Sequence, residues 1–275
     1  MRRTLVLVTT LAAVWAAVAA ADGGGPSPGE SFGSPGVVGP KGTIRYVTVP
    51  AGRGTLLEAV SVRNGTIRRW RYLRGSFGVP LVAFDNTGGG LAHNGRRLVL
   101  VSHQTAAVTR IVVVDPGTFR PKAHLRRPGT WAFDALSPTG SLLYLIQYRG
   151  SANQAVGQSY AVRALNLNTR RLYASAVVDR REPDEKMTGM PLTRAESRDG
   201  SWAYTFYSRT NKGPFVHALD TVHRRAFCVD VPWNWQRSAD ALWKVRLELA
   251  RSDVLVRLGR DIVARIDRKT FRVTR

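Results

Sequence analysis

The feature that most narrows the fold is an internal period of about 50 residues, which marks an array of similar structural units. A turn closing on glycine precedes an apolar strand three times. It is Ala92-His93-Asn94-Gly95 before 96–101, Ser137-Pro138-Thr139-Gly140 before 141–146, and Ser197-Arg198-Asp199-Gly200 before 201–206. Glycine suits that place because a tight hairpin turn needs a residue at positive φ. Each copy is followed by a strand that ends in Asp or Asn and then turns. The acceptor residues are Asp115, Asn166, Asp220 and Asp267, spaced by 51, 54 and 47 residues. Their short side chains can bond the backbone of the turn they open. Asn64 is a degenerate first copy, 51 residues before Asp115.

Helical periodicity is scarce. A unit of roughly 40–50 residues holding four strands is the period of a β-propeller blade. Such a sheet is too small to bury both faces alone and gains stability by stacking on its neighbours. The strands 98–101 and 142–146 are apolar on both faces, as a sheet packed between two others requires. The expectation is therefore an all-β chain, a β-propeller of about five blades at 42–80, 81–129, 130–190, 191–235 and 236–275. The period also admits a sixth blade or an incomplete ring. A β-sandwich would explain strands and turns but not a fixed period. Closure is expected to use the strand 44–49 against the last blade.

The Ser-Pro-Thr-Gly turn, the apolar strand after it and the strand ending in Asp resemble the blades of YVTN-type and WD-repeat-like bacterial propellers. Tyr46-Val47-Thr48-Val49 is similar to the tetrapeptide that names the first group. The stretches 129–137 and 215–220 also resemble a group of uncharacterised exported actinobacterial proteins. The resemblance covers about 42–275 and implies architecture. Its motifs are structural and bring no catalytic residue with them.

Ahead of the repeats, Met1-Arg2-Arg3 is a short basic start, 4–18 is an apolar run, and Ala17-Val18-Ala19 offers a small-x-small cleavage pattern. Residues 1–21 therefore read as a signal peptide or an uncleaved anchor. Residues 22–41 are rich in Gly, Pro and Ser and read as a flexible linker, and 42–275 form the propeller domain. The implied address is secreted or extracytoplasmic, with a membrane tether if the signal stays uncleaved. Cys228 is the single cysteine, so packing and not an internal disulfide must hold the fold.

The net charge is +22, or 22 − 2 = +20 without Arg2 and Arg3. A field of that size attracts polyanions. Basic residues are scattered in pairs, such as Arg68-Arg69, Arg96-Arg97 and Arg170-Arg171, which reads as solvated turns and outer strands. No nucleic-acid recognition motif is present, so no specific nucleic acid is expected. The partners expected are a protein or an anionic envelope polymer, with membrane-surface contact, for a chain read as a monomer.

Catalytic signals are sparse. No serine stands in a nucleophile elbow, Gly88-Gly89-Gly90 lacks the lysine of a phosphate loop, and His93, His103, His124, His217 and His223 form no ligand-spaced cluster. No catalytic residue, metal or cofactor is assigned. Register against the turn glycines places Asp134 and Arg194 at matched positions, six residues before Gly140 and Gly200. Asp240, in Ala239-Asp240-Ala241-Leu242, resembles the surroundings of Asp134. These three would converge where the innermost strands line the central channel, either to bind a polar ligand or to close the channel with ion pairs. Trp233 and Trp235 offer a partner-binding platform or aromatic caps between blades. Two functions follow: a binding scaffold at or beyond the cell envelope, or a lactonase-like or other hydrolase working in the channel.

Overall fold

The computed structural model describes residues 28–102, 108–149, 159–209, 212–234 and 239–275. Its described residues build five antiparallel sheets of three or four strands, each from one contiguous stretch, and one two-stranded pairing. Sheet 1 holds Val37–Val38, Ile44–Ala51, Gly54–Ser61 and Ile67–Arg74. Sheet 2 holds Leu98–Val101, Val108–Val114 and Pro121–Pro128. Its inner position is taken by an irregular segment that touches it through the bridges Gly78 to Val101 and Leu91 to Leu98. Sheet 3 holds Trp131–Leu136, Leu142–Arg149, Ser159–Asn166 and Arg171–Val177. Sheet 4 holds Met190–Glu196, Trp202–Ser208, Phe215–Asp220 and Arg225–Asp230. Sheet 5 holds Val245–Leu249, Asp253–Leu258, Asp261–Asp267 and Val273–Thr274. A 3-10 helix, Ala239–Lys244, leads into sheet 5.

The repeated turn chemistry works as its residue types dictate. Asp115 Oδ1 accepts from the Thr118 amide at 2.9 Å, and Asn166 Oδ1 from the Asn168 amide at 2.9 Å. Asp220 Oδ1 accepts from the His223 amide at 2.9 Å, and Asp267 Oδ1 from the Lys269 amide at 3.0 Å. Each turn then ends, four residues after its acceptor, on a residue with φ of 56–58°: Phe119, Arg170, Arg224 and Phe271. These side chains are held in a conformation that L-residues rarely adopt. The glycine-closed turns meet near the axis. The Asn94 amide donates to the Pro138 carbonyl at 3.0 Å, and a Cβ on Gly200 would lie 2.9 Å from that of His93.

Stacking accounts for the burial pattern. Four clusters of buried side chains join sheet 1 to 2, 2 to 3, 3 to 4 and 4 to 5. Leu98–Val101 and Phe215–Asp220 are buried at every position because each has a neighbour on both sides. Burying one such Val, Leu or Phe side chain stabilises by about 1.5–3 kcal/mol. Among the described residues no cluster joins sheet 5 to sheet 1.

Two expectations are corrected. The strand Ile44–Ala51 does not close the ring on the last blade. It pairs along its whole length with Gly54–Ser61, through a tight turn at Gly52, and sheet 5 takes all four of its strands from the C-terminal stretch. Nor is all of 22–41 a linker. Glu30–Ser31 pairs with Val79–Pro80, Val37–Val38 forms the inner strand of sheet 1, and the Thr48 hydroxyl donates to the Ser31 carbonyl at 3.0 Å. Backbone pairing recruited a segment whose side chains have little apolar surface. The expected signal or anchor, 1–21, lies outside the described residues. Within them, no helix is long and apolar enough to cross a membrane.

Candidate functional site

The innermost strands of sheets 3 and 4 each carry a bulge, at Asp134 itself in sheet 3 and at Leu192, two residues before Arg194, in sheet 4. A bulge re-aims the side chains beside it, and here the pair brought together is Asp134 and Arg194. The Arg194 guanidinium donates through Nη2 to the Asp134 carboxylate, through Nη1 to the Asp134 carbonyl, and through Nε to Thr205 Oγ1 at 2.9 Å. Glu196 lies 3.8 Å from Nη1 on the exposed side. The side chains of Arg194 and Asp134 are 2% and 0% exposed, which puts them out of a solute's reach. Burial works against the Arg194 charge, but Asp134 and Glu196 outweigh it and hold the guanidinium above its ordinary value.

The surroundings are dry. His217 is buried beside Tyr207, with ring centroids 6.3 Å apart, and burial lowers its pKa so that it sits neutral. Burial pushes the Tyr207 hydroxyl upward. The segment inside sheet 2 crosses towards the axis, where the Phe84 amide donates to the Pro191 carbonyl at 2.9 Å and its ring meets Trp243 edge-on at 6.0 Å. The Asp134–Arg194 pair is a buried tie between two sheets.

The remaining expected residues do not join that pair. Asp240 is solvent-exposed in the 3-10 helix, because the chain inserts that helix where the matching strand would begin. Trp233 is half-buried and packs on Phe206, 6.4 Å away, within the core between sheets 4 and 5, so it caps the core and offers no platform. Trp235 lies outside the described residues, as does His103. Burial pushes the Cys228 thiol up to about 12, leaving it protonated and weakly nucleophilic. Among the described residues no group of His, Cys, Asp or Glu is arranged to hold a metal.

A surface not foreseen stands on the outer face of sheet 1. Ile67, Trp70 and Tyr72 are 50%, 63% and 47% exposed and lie opposite Val60, Glu58 and Leu56. The other face of the same sheet, with Leu57, Ala59 and Leu73, is buried against sheet 2. Arg68, Arg69, Arg71 and Arg74 are exposed along the same strand. Strand alternation puts Trp70, Tyr72 and Arg74 on this face, and Arg69 and Arg71 on the face of Ala59 and Leu57.

Five successive sheets, packed face to face and sharing one repeated strand order, define a β-propeller. No family model and no curated protein matches this sequence. Solved structures resemble it in shape. A functionally unknown protein from Desulfotomaculum acetoxidans DSM 771 aligns at TM-score 0.50 and 10% identity, covering 86% of this chain and 67% of that one. A structure from an analysis of two prolyl endopeptidases aligns at TM-score 0.50 and 12% identity, over 89% of this chain and 35% of its own. TolB from Acinetobacter baumannii aligns at 0.46 and 11% identity over 84% of this chain, which spans about half (50%) of the TolB chain. These likenesses concern the fold alone.

Proposed function

We propose that this chain is an exported, non-catalytic propeller that binds an anionic polymer of the cell envelope through the outer face of sheet 1. One observation carries the reading: Ile67, Trp70 and Tyr72 stand exposed on one sheet face with Arg74 at its end, and Arg68, Arg69 and Arg71 are exposed along the same strand. Aromatic rings supply contact area at small entropic cost, and guanidinium groups pair with phosphate or carboxylate. The expected export signal at 1–21, the charge of +20 on the remainder, and the resemblance to YVTN-type and WD-repeat-like blades of exported bacterial proteins support the same reading. The hydrolase alternative needs reachable groups in the channel, and Asp134 and Arg194 are buried there.

The test is retention of the full chain on a purified anionic wall polymer. Binding should fall steeply as salt rises, because exposed charges are screened within about 8 Å at physiological ionic strength. Trp70→Ala with Tyr72→Ala should weaken it at least tenfold without lowering Tm. Undiminished retention of that double variant would refute the assignment.

A further inference from the structure

In three of the four repeated turns the positive-φ residue at the end reaches back to the preceding sheet. From sheet 2, Phe119 meets Tyr46 of sheet 1 with centroids 6.0 Å apart. From sheet 4, the Arg224 guanidinium lies 3.9 Å from the ring centroid of Tyr173 in sheet 3. From sheet 5, Phe271 stacks on Phe227 of sheet 4 at 4.2 Å. Tyr173 and Phe227 occupy one register, seven residues after the acceptors Asn166 and Asp220. Seven residues after Asp115 the same position in sheet 2 is Lys122, at a bulge beside Ala123, and the turn-ending residue of sheet 3 is Arg170. Two of these latches close on a favourable pair at that register. Here both positions hold cations, and both line one cavity.

The interface opens there. A cavity of about 430 Å³ is lined by Arg96, Arg97, Lys122 and Arg170, with Asn168 beside them and Val113 at its apolar floor. No acidic side chain lines it. Arg97 is fixed, donating to the Gly140 carbonyl at 2.8 Å and to Asn168 Oδ1 at 2.6 Å. The nearest relief is Asp115, 3.6 Å from Lys122 Nζ and shared with its own turn. Four cations around a cavity in the size range of small-molecule sites, about 300–1,000 Å³, leave positive charge that a bound anion would balance. Guanidinium forks match tetrahedral oxyanions.

We propose that the cavity between sheets 2 and 3 binds a phosphoryl group, held by Lys122 and Arg170 across the interface and by Arg96 and Arg97 at its rim. The site stands apart from the sheet 1 face and does not depend on it. The phosphoryl group could belong to a free organic phosphate or to a phosphate-bearing wall polymer, and the chemistry at the cavity is the same for both.

The test is titration of the full chain with inorganic pyrophosphate in physiological salt, by calorimetry and by Tm. Saturable binding with a rise in Tm is expected. Lys122→Tyr rebuilds the aromatic latch of the sheet 3–4 interface, and Arg170→Gly removes a cation where glycine is at ease. Each should lower affinity at least tenfold, while Trp70→Ala should leave it unchanged. Glycerol 3-phosphate and a glycerol-phosphate oligomer then separate the sources: tighter binding of the oligomer assigns the polymer, equal or weaker binding the free phosphate. Absence of saturable binding, unchanged affinity in both cavity variants, or equal affinity for citrate would overturn the proposal.

Discussion

Two neighbouring interfaces hold charge in opposite ways. Between sheets 3 and 4 the Asp134–Arg194 pair is buried, with Thr205 accepting the Nε–H, and the outer latch closes Arg224 on Tyr173. Between sheets 2 and 3 the corresponding positions are Arg170 and Lys122, and both line a cavity. The backbone repeats in both. The difference is made by residue type at one register, Tyr173 against Lys122, and it separates a sealed interface from one left open to a ligand.

The comparison can be broken most strongly at its closed side. Asp134→Ala leaves the Arg194 charge buried without its partner. Loss of one member of a buried ion pair costs about 3–5 kcal/mol, so a fall of that size in the unfolding free energy from urea melts is expected, against little change for Lys122→Ala. Equal small shifts in both would show that the buried pair is no tie.

Tyr173→Lys copies the open register into the closed interface. It removes the ring under Arg224 and sets like charges together, so it should destabilise by about 1–2 kcal/mol. The reciprocal Lys122→Tyr should stabilise by about 0.5–1 kcal/mol, the value of an exposed cation–π contact. Opposite signs in thermal melts of the two variants are the expected outcome. Destabilisation by both would mean the registers are not equivalent.

Acid gives the finest discrimination. Asp179 bridges sheets 3 and 4 at their rim, accepting from the Arg181 side chain and, at 2.8 Å, from the Cys228 amide. Burial works against its charged form, but these donors outweigh it and hold the carboxyl below its ordinary value. Its contribution is therefore present above the unfolded carboxyl pKa of about 3.9 and fades as pH falls through the lower, folded value. Urea midpoints should drop as pH is taken from about 5 towards 2, and drop less in Asp179→Asn. An identical decline in that variant would exclude Asp179 as the group responsible.

Legibility followed local chemistry. The acceptor turns and glycine turns announce themselves in short motifs, because a few residues decide a turn. Asp134 and Arg194 could be paired beforehand because both sit at a fixed distance from a turn glycine. Asp240 misled because similar neighbours stood in for register, and the inserted 3-10 helix displaced it. The back-reaching latches depend on which sheet lies behind which, so Lys122 gained meaning only beside Tyr173 and Phe227. The exposed face of sheet 1 escaped notice for a related reason. An apolar residue in a strand looks the same whether or not another sheet arrives to cover it.

Because sheet 5 borrows no strand from the start of the chain, no part of the architecture waits for the two ends to meet. Each sheet pairs strands that are near in sequence, the kind of contact that forms quickly. A chain appearing N-terminus first can complete one sheet and use it as the template for the next. Assembly then runs in the order of synthesis, and a truncation at a sheet boundary should yield a shorter stack of the same kind.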